Sequence, residues 1–280
     1  MTFFANESMI STCSVNSDSS SVVEATTIAD RRKRRRRPSI LILGASSRTG
    51  LEYIQQLSEH SSEPYIHAFN EEDMPEMDDK YFQMCHTVIE GSMRHAIDIE
   101  EALNITGANW VVLCNDRNVQ RQQQRPKDYS TVCAKNVVHV LEEPHFKFVR
   151  ALVISRIEAV PPAEVPKRML LNVRCKLRQM KLRPILQDLA EQEKQLHGIW
   201  DRVTIVRTTQ ISDTPPNNSS RRLLEFNDDE LEKTVKSSLN NSFTTASTER
   251  VDLASYIVDE ICARPVPAGN RVINVTSAKM

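Results

Sequence analysis

Glycine, aromatic residues and long apolar runs are all scarce in this chain of 280 residues. It has 6 glycines and 5% aromatic residues, and its longest apolar runs, such as residues 40–43 and 110–114, fall far short of the roughly 18 residues that a membrane-spanning helix needs. The 6 cysteines are scattered, with no Cys-x-x-Cys pair and no histidines at ligand spacing. The sequence therefore predicts no membrane association, no bound metal and no disulfide framework, which is typical of a reducing compartment.

Positive charge is concentrated in one short run. Residues 31–37 read RRKRRRR, and they follow a Ser- and Thr-rich segment, residues 1–30, that contains no lysine or arginine. We predict a disordered tail over residues 1–37 and a folded domain with a small C-terminal section over residues 38–280. The basic run fits either a nuclear import signal or a solvated charge block, so the predicted localisation is cytoplasmic or nuclear. The folded part has an excess of acidic residues, so nucleic acid is not a predicted partner.

Strand and helix patterns alternate from residue 39 onward. The long helical region over residues 165–197 is expected to break at Pro184. A polar loop over residues 214–220 is expected to separate the sheet from residues 221–248. Seven apolar strand segments are predicted: residues 40–43, 65–69, 86–89, 110–114, 148–154, 203–206 and 271–275. This alternation predicts an α/β fold with a doubly wound, mostly parallel, Rossmann-type sheet of about seven strands.

The segment ILILGASSRTG, residues 40–50, joins a buried strand to an amphipathic helix through a turn of small residues. A helix N-terminus with free backbone N–H groups binds phosphate readily. Gly44 allows the chain to turn sharply, and Gly50 allows the helix to pack closely on the sheet. Three side chains of the turn can add hydroxyl groups to the backbone amides: Ser46, Ser47 and Thr49. The segment therefore predicts a binding site for the pyrophosphate of a dinucleotide.

This turn resembles that of the short-chain dehydrogenase/reductase superfamily, in particular its atypical, NmrA-like branch, whose turn usually reads Gly-Ala-x-Gly-x-x-Gly. Four more segments resemble that branch in the same order and extend the resemblance to most of the folded part: VIEGS (88–92), LVIS (152–155), VTIVR (203–207) and RVDLA (250–254). The resemblance implies NAD(P)(H) as ligand. Ser47 replaces the family's middle glycine, Ser92 replaces an aspartate that contacts adenine, and Ser155 occupies a catalytic-site position of the family.

Two residues indicate different dinucleotides. In the family that the chain resembles, a basic residue inside the turn, here Arg48, accompanies the 2′-phosphate of NADP. An acid about 20 residues after the turn instead binds the ribose 2′-hydroxyl of NAD, and Glu71 has this spacing. The sequence favours NADP, because Arg48 lies inside the motif itself. Asn115, at the end of the fourth predicted strand, lies on the rim where such sheets bind ligands.

The catalytic residues are not predicted. Active members of the superfamily use a tyrosine and a lysine four residues apart on one helix, and none of the 5 tyrosines of this chain has a lysine at that spacing. The resemblance aligns Gln187 and Glu191 with a Lys-x-x-x-Glu pattern of the NmrA-like branch. Gln187 cannot transfer a proton, and Glu191 is expected to be solvated. Two functions fit: a divergent NAD(P)-dependent oxidoreductase, or a non-catalytic nucleotide sensor or assembly protein with a protein partner.

Overall fold

The computed structural model describes residues 37–71, 77–114, 126–156, 173–208, 210–212, 222–226, 247–263 and 271–278. Ten strands are found in these ranges: β1 (Ser39–Leu43), β2 (Tyr65–Glu71), β3 (Thr87–Gly91), β4 (Trp110–Leu113), β5 (Arg150–Arg156), β6 (Val203–Thr208), β7 (Gln210–Ser212), β8 (Arg222–Phe226), β9 (Ser247–Glu249) and β10 (Arg271–Ala278). Eight of them form one sheet in the order β3-β2-β1-β4-β5-β6-β10-β8. Seven of these strands run parallel, which confirms the predicted doubly wound sheet.

Six helices connect the strands in the described ranges: α1 (Arg48–Glu59), α2 (Asp79–Phe82), α3 (Ala96–Thr106), α4 (Tyr129–Leu141), α5 (Val173–Gln195) and α6 (Arg250–Ala263). Short 3-10 turns at Pro144–Phe146 and Leu196–Arg202 precede β5 and β6. No helix in the described part of the chain is long and apolar enough to cross a lipid bilayer.

Two apolar cores lie on opposite faces of the sheet, as the doubly wound arrangement requires. One face buries residues such as Leu41, Leu43 and Phe69 together with side chains of α3 and α4. The other face buries the alternate residues, such as Ile40 and Ile42, together with side chains of α1 and α6. Both faces of β1 are therefore apolar, which explains why this strand reads as an uninterrupted apolar run rather than an alternating one.

Two predictions about the second half of the chain were wrong. Arg222–Phe226 belongs to the main sheet, where it pairs antiparallel with β10, although we had placed residues 221–248 outside the sheet. Gln210–Ser212 and Ser247–Glu249 form a separate pair of short parallel strands. Helix α5 continues through Pro184 instead of breaking there. An interior proline removes a helical hydrogen bond and costs about 3 kcal/mol; the contact of Asp188 with α4, one turn after Pro184, helps to offset that cost.

Helix α4 is capped by a residue from another helix. Its own N-cap residue, Asp128, makes no side-chain capping bond. Instead, the carboxylate of Asp188 on α5 accepts hydrogen bonds from the backbone N–H groups of Ser130 and Thr131, each at 2.9 Å. The Thr131 hydroxyl donates to the same carboxylate at 2.6 Å. Because a carboxylate at a helix N-terminus also interacts favourably with the helix dipole, Asp188 fixes α5 against the start of α4.

The last residue of the basic run contacts the folded part. Arg37 donates a hydrogen bond to the carboxylate of Glu63, in the turn before β2. The rest of the run and the predicted tail, residues 1–36, lie outside the described residues. The predicted domain boundary and localisation therefore stay predictions.

Candidate functional site

The predicted phosphate-binding turn lies at the point where the strand order of the sheet reverses. β1 has β2 on one side and β4 on the other, so the chain leaves β1 between two strands whose helices pack on opposite faces. The carboxyl ends of the strands flanking such a switch point form a crevice, where open α/β sheets bind their ligands. The turn after β1, residues 44–47, forms part of this crevice.

Gly44 begins the turn in a left-handed conformation with φ of +77°. A Cβ atom at this position would lie 2.7 Å from the carbonyl oxygen of Cys114, at the end of β4. The amides of Gly44 and Ala45 both donate to the Phe69 carbonyl of β2, each at 3.1 Å. The turn is therefore held between the ends of both neighbouring strands, and only glycine fits its first position.

Gly50 lies where the first turn of α1 contacts the turn that precedes it. A Cβ atom here would lie 2.5 Å from the carbonyl oxygen of Ala45 and 2.6 Å from that of Gly44. Ser47 caps the same helix, because its side-chain oxygen accepts a hydrogen bond from the Gly50 N–H at 3.0 Å. The hydroxyl of Ser47 thus serves the N-terminus of α1, a role that the glycine it replaces could not perform.

The two remaining hydroxyls of the turn have different surroundings. Thr49 is buried and receives a hydrogen bond from the guanidinium of Arg250, the first residue of α6. The hydroxyl of Thr49 thus connects α1 to α6. The Oγ of Ser46, by contrast, is buried and has no hydrogen-bond partner in the part of the chain that the structure describes. The hydroxyl of Ser46 can therefore donate a hydrogen bond to a ligand in the crevice.

Arg48 and Glu71, the two residues expected to distinguish NADP from NAD, do not share a face of the sheet. Arg48 is exposed at the start of α1. Glu71 ends β2 and is only 3% exposed; it pairs with Gly91 of β3 in the sheet. Because side chains alternate along a strand, Glu71 shares the face of Phe69, whereas its neighbour Asn70 shares the face of α1. The Oδ1 of Asn70 is buried and lacks a hydrogen-bond partner among the described residues.

The polar groups of the loop after β3 form hydrogen bonds within the loop and with α3. The backbone N–H of Ser92 donates to the carboxylate of Asp98 on α3 at 2.8 Å. The Oγ of Ser92 accepts a hydrogen bond from the Arg94 amide at 3.3 Å. The serine that replaces the family's adenine-contacting aspartate therefore stabilises its own loop, and its hydroxyl hydrogen is the group left to contact a base.

Ser155 lies at the same edge of the sheet as the phosphate-binding turn, near the carboxyl end of β5. Ser155 is 1% exposed near the end of β5, and its Oγ has no hydrogen-bond partner among the described residues. Asn115, expected at the end of β4, lies outside the described residues. Ser155 in β5 and Ser46 in the turn after β1 thus place at this edge two hydroxyls that have no hydrogen-bond partner among the described residues.

Gln187 and Glu191, the residues of helix α5 that the resemblance aligns with the family pattern, do not form a pair that could transfer a proton. Gln187 is exposed. The carboxylate of Glu191 accepts hydrogen bonds from Lys194 at 2.7 Å and Gln195 at 3.0 Å, and the bond from Lys194 lowers the pKa of this carboxyl below its usual range. Glu191 is therefore ionised at neutral pH and engaged with its own helix, in line with the expectation that it is a solvated residue.

Sequence reasoning missed three residues around the turn: Asn70, Asp98 and Arg250. Asn70 is adjacent to Glu71, so only the strand register distinguishes which of the two shares the face of α1. Asp98 reaches the loop after β3 from six residues away, and this spacing could have suggested a cap. The contact between Arg250 and Thr49 joins residues 201 positions apart, and no local signal in the sequence reveals it.

Comparison with known proteins gives one relative by sequence and many by structure. No protein-family model matches the chain. The decarboxylating sterol-4-alpha-carboxylate 3-dehydrogenase ERG26 of Saccharomyces cerevisiae is 34% identical over 107 residues, which are 37% of this chain and 30% of that protein. The match thus spans less than a third of the relative's length.

Solved structures with the same fold cover most of the chain. The oxidoreductase ylbE of Lactococcus lactis is 13% identical, with a TM-score of 0.58 over 86% of this chain and 92% of its own. A short-chain dehydrogenase/reductase of Veillonella parvula, in complex with NADP, is 18% identical, with a TM-score of 0.56 over 85% and 94%. The UDP-glucose 4-epimerase of Brucella ovis, in complex with NAD, is 11% identical, with a TM-score of 0.58 over 86% and 79%. The chain therefore has the fold of the short-chain dehydrogenase/reductases and epimerases, as the sequence resemblance implied.

Proposed function

We propose that this chain binds a nicotinamide dinucleotide in the crevice after β1, with the pyrophosphate at the N-terminus of α1. The observation that carries the proposal is the buried Oγ of Ser46 in this turn, which has no hydrogen-bond partner among the described residues. A buried polar atom without a partner costs about 1–3 kcal/mol, and a phosphate oxygen accepting from this hydroxyl would remove that cost. The complexes of the Veillonella parvula protein with NADP and of the Brucella ovis epimerase with NAD support the same ligand class.

NADP is the proposed preference. Arg48 is exposed at the turn, and a guanidinium there forms charge-assisted hydrogen bonds with the 2′-phosphate. Glu71, which would repel that phosphate, is buried on the opposite face of β2 from α1. The side chain that shares the face of α1 is Asn70, whose amide is uncharged and can donate as well as accept. Both features favour a phosphorylated ribose over a free 2′-hydroxyl.

The activity that we propose is that of a divergent NAD(P)-dependent oxidoreductase. The bound nicotinamide would supply hydride exchange, while the protein would bind and orient it. Ser155 would serve as a hydrogen-bond donor to a substrate, since its Oγ is buried near the carboxyl end of β5 and has no partner in the part of the chain that the structure describes. The general acid of this reaction is not assigned to a residue.

One observation favours the second candidate, a non-catalytic nucleotide sensor or assembly protein. Helix α5 contains no tyrosine, and the exposed Gln187 stands where the NmrA-like pattern has lysine. A protein of this kind would keep the dinucleotide site and lose turnover. The two candidates therefore agree about binding and differ only in whether bound NADPH is oxidised in the presence of carbonyl compounds.

Titration of the full chain with NADPH and NADH, followed by cofactor fluorescence, tests the proposal. We expect saturable binding of both, with NADPH tighter. Arg48→Ala should weaken NADPH binding about 10- to 100-fold, corresponding to the ~1.5–3 kcal/mol of a hydrogen bond to a charged group, and should leave NADH binding nearly unchanged. Asn70→Asp should also weaken NADPH selectively, because a carboxylate repels the 2′-phosphate.

Lys135→Ala is the matched control, because it removes an exposed cation from α4, on the other face of the sheet. It should change neither affinity. Equal losses of NADPH and NADH binding in Arg48→Ala would contradict the proposed preference. The absence of any binding by the wild-type chain at millimolar nucleotide would contradict the proposed function itself.

A further inference from the structure

Three potential metal ligands meet on the surface at a distance from the crevice. Glu100 projects from α3, while Glu143 and His145 belong to the connection between α4 and β5. One carboxylate oxygen from each glutamate and one imidazole nitrogen all lie within 4.8 Å of one another. Within this group, called here the Glu-Glu-His cluster, the Nε2 of His145 lies 3.5 Å from Glu143 Oε2. It is the one such cluster that the described residues form.

We propose that the Glu-Glu-His cluster binds a divalent transition-metal ion of the zinc class. Two carboxylates and one imidazole supply three ligands, and water would complete a tetrahedral site. An imidazole nitrogen favours zinc over magnesium or calcium, which prefer oxygen ligands alone. The two negative charges of the glutamates would balance the charge of the ion.

The geometry of the cluster is close to what such an ion requires. With zinc–ligand distances of about 2.0–2.2 Å, ligand atoms in a tetrahedral site are roughly 3.4 Å apart. Because the three ligand atoms already lie within 4.8 Å of one another, no separation has to shorten by more than about 1.4 Å. The side chain of His145 is 52% exposed and that of Glu143 34% exposed. The carboxylate of Glu143 can therefore move towards the imidazole without disturbing the core.

The imidazole of the cluster packs against a buried aromatic ring. The ring of His145 lies on the ring of Phe146, with centroids 3.9 Å apart, and Phe146 is buried against the core. Pro144 begins the same 3-10 turn, and its ring fixes the backbone φ angle at that position. These contacts hold the imidazole at the surface, so an ion there would find one ligand already positioned.

The position of the cluster makes it independent of the proposed dinucleotide site. Glu143 and His145 lie just before β5, at the edge where the parallel strands begin, whereas the phosphate-binding turn follows the opposite ends of the strands. A bound ion would join α3 to the connection that leads into β5. Its expected effect is therefore to stabilise the folded chain in proportion to the concentration of the free ion. The failure of either proposal would leave the other intact.

Calorimetric titration of the full chain with ZnCl₂ at pH 7, after treatment with EDTA, tests the proposal. We expect one binding step of about one ion per chain, and a rise of the thermal midpoint with added zinc. His145→Ala and Glu100→Gln should each weaken this step at least tenfold. In EDTA both variants should have the midpoint of the wild type, because the two side chains lie at the surface.

Two variants serve as matched controls. His139→Ala removes an exposed histidine of α4, and Glu101→Gln removes the carboxylate next to Glu100. Both should bind zinc as the wild type does. Cys85 does not compete strongly, because burial raises the pKa of its thiol to about 12 and zinc binds the thiolate. Zinc affinity unchanged in His145→Ala, equal loss in His139→Ala, or no wild-type binding at millimolar zinc would each overturn the proposal.

Discussion

Replacement of Gly50 by alanine gives opposite predictions for an isolated helix and for the folded chain. In an isolated helix alanine is about 1 kcal/mol more favourable than glycine. In the folded chain the new methyl group would lie 2.5 and 2.6 Å from two backbone oxygens. To reach ordinary contact at 3.4 Å, each oxygen would have to move by about 0.8–0.9 Å, because repulsion rises steeply inside that distance.

The oxygens cannot move without loss of other interactions. They belong to Gly44 and Ala45, whose amides both donate to the Phe69 carbonyl. Overpacking of a tight site costs about 1–3 kcal/mol, and weakening of two hydrogen bonds adds about 1 kcal/mol. After subtraction of the gain in helix propensity, we expect Gly50→Ala to lower the free energy of unfolding by about 2 kcal/mol. In a folded part of this size the loss corresponds to a thermal midpoint about 4–8 °C lower.

Thermal unfolding and NADPH titration of the same samples give the readout. Ser58→Ala is the control, because Ser58 is exposed on the same helix and alanine there improves the helix propensity without a new contact; its midpoint should stay within about 1 °C or rise. NADPH affinity should fall at least tenfold in Gly50→Ala and stay unchanged in Ser58→Ala. A thermal midpoint of Gly50→Ala above that of the wild type would refute the reasoning. It would mean that the added methyl group does not clash with the carbonyl oxygens of Gly44 and Ala45.

Two further predictions concern buried polar side chains away from the crevice. Burial, assisted by the charge of His86, lowers the pKa of His67 from 6.5 to about 4, so the folded chain keeps this imidazole neutral while the unfolded chain takes up a proton below about pH 6.5. The free energy of unfolding should therefore fall by up to about 3 kcal/mol as the pH drops from 6.5 to 4, in urea titrations at a series of pH values. Gln192 is fully buried on α5 with both amide atoms unpaired among the described residues, so Gln192→Met should raise the free energy of unfolding by about 1–3 kcal/mol in the same assay.

Each of these two predictions has a control on the same chain. His67→Gln should remove most of the acid sensitivity, whereas His139→Gln, at an exposed position of α4, should keep it. An equally steep loss of stability on acidification in His67→Gln would assign the effect to other groups. Gln187→Met, on the exposed side of α5, should change the stability by less than about 0.5 kcal/mol. Destabilisation by Gln192→Met would mean that its amide has a partner.

The sequence was sufficient to predict the parallel strands, because each is a short apolar run and the first five of them alternate with helical segments. It was insufficient for Arg222–Phe226. The partner of that strand is β10, about 50 residues further along the chain, and a segment flanked by polar residues gives no sign of a pairing so distant. The persistence of α5 through Pro184 was missed for a related reason, since tertiary packing outweighed a local preference.

Within the candidate site, the motif predicted the backbone better than the side chains. The two glycines are where the Gly-x-x-x-x-x-Gly spacing places them, with the contacts that such a turn needs. The hydroxyls could not be distinguished in advance. Ser47 caps a helix, Thr49 meets an arginine from α6, and Ser46 stays unpaired. The partners of the first two are set by the helix geometry and by a contact across the whole domain, and neither can be read from the motif alone.

The carboxylate that Asp188 places at the start of α4 also bears on the order in which the chain folds. Helix α4 has 13 residues, a length that is marginal for a helix alone in water. Its capping group comes from 57 and 58 residues further along the chain, so a large loop must close before the cap can form. During synthesis on a ribosome α4 would remain uncapped until α5 had emerged. The cap therefore couples the stability of α4 to the presence of α5.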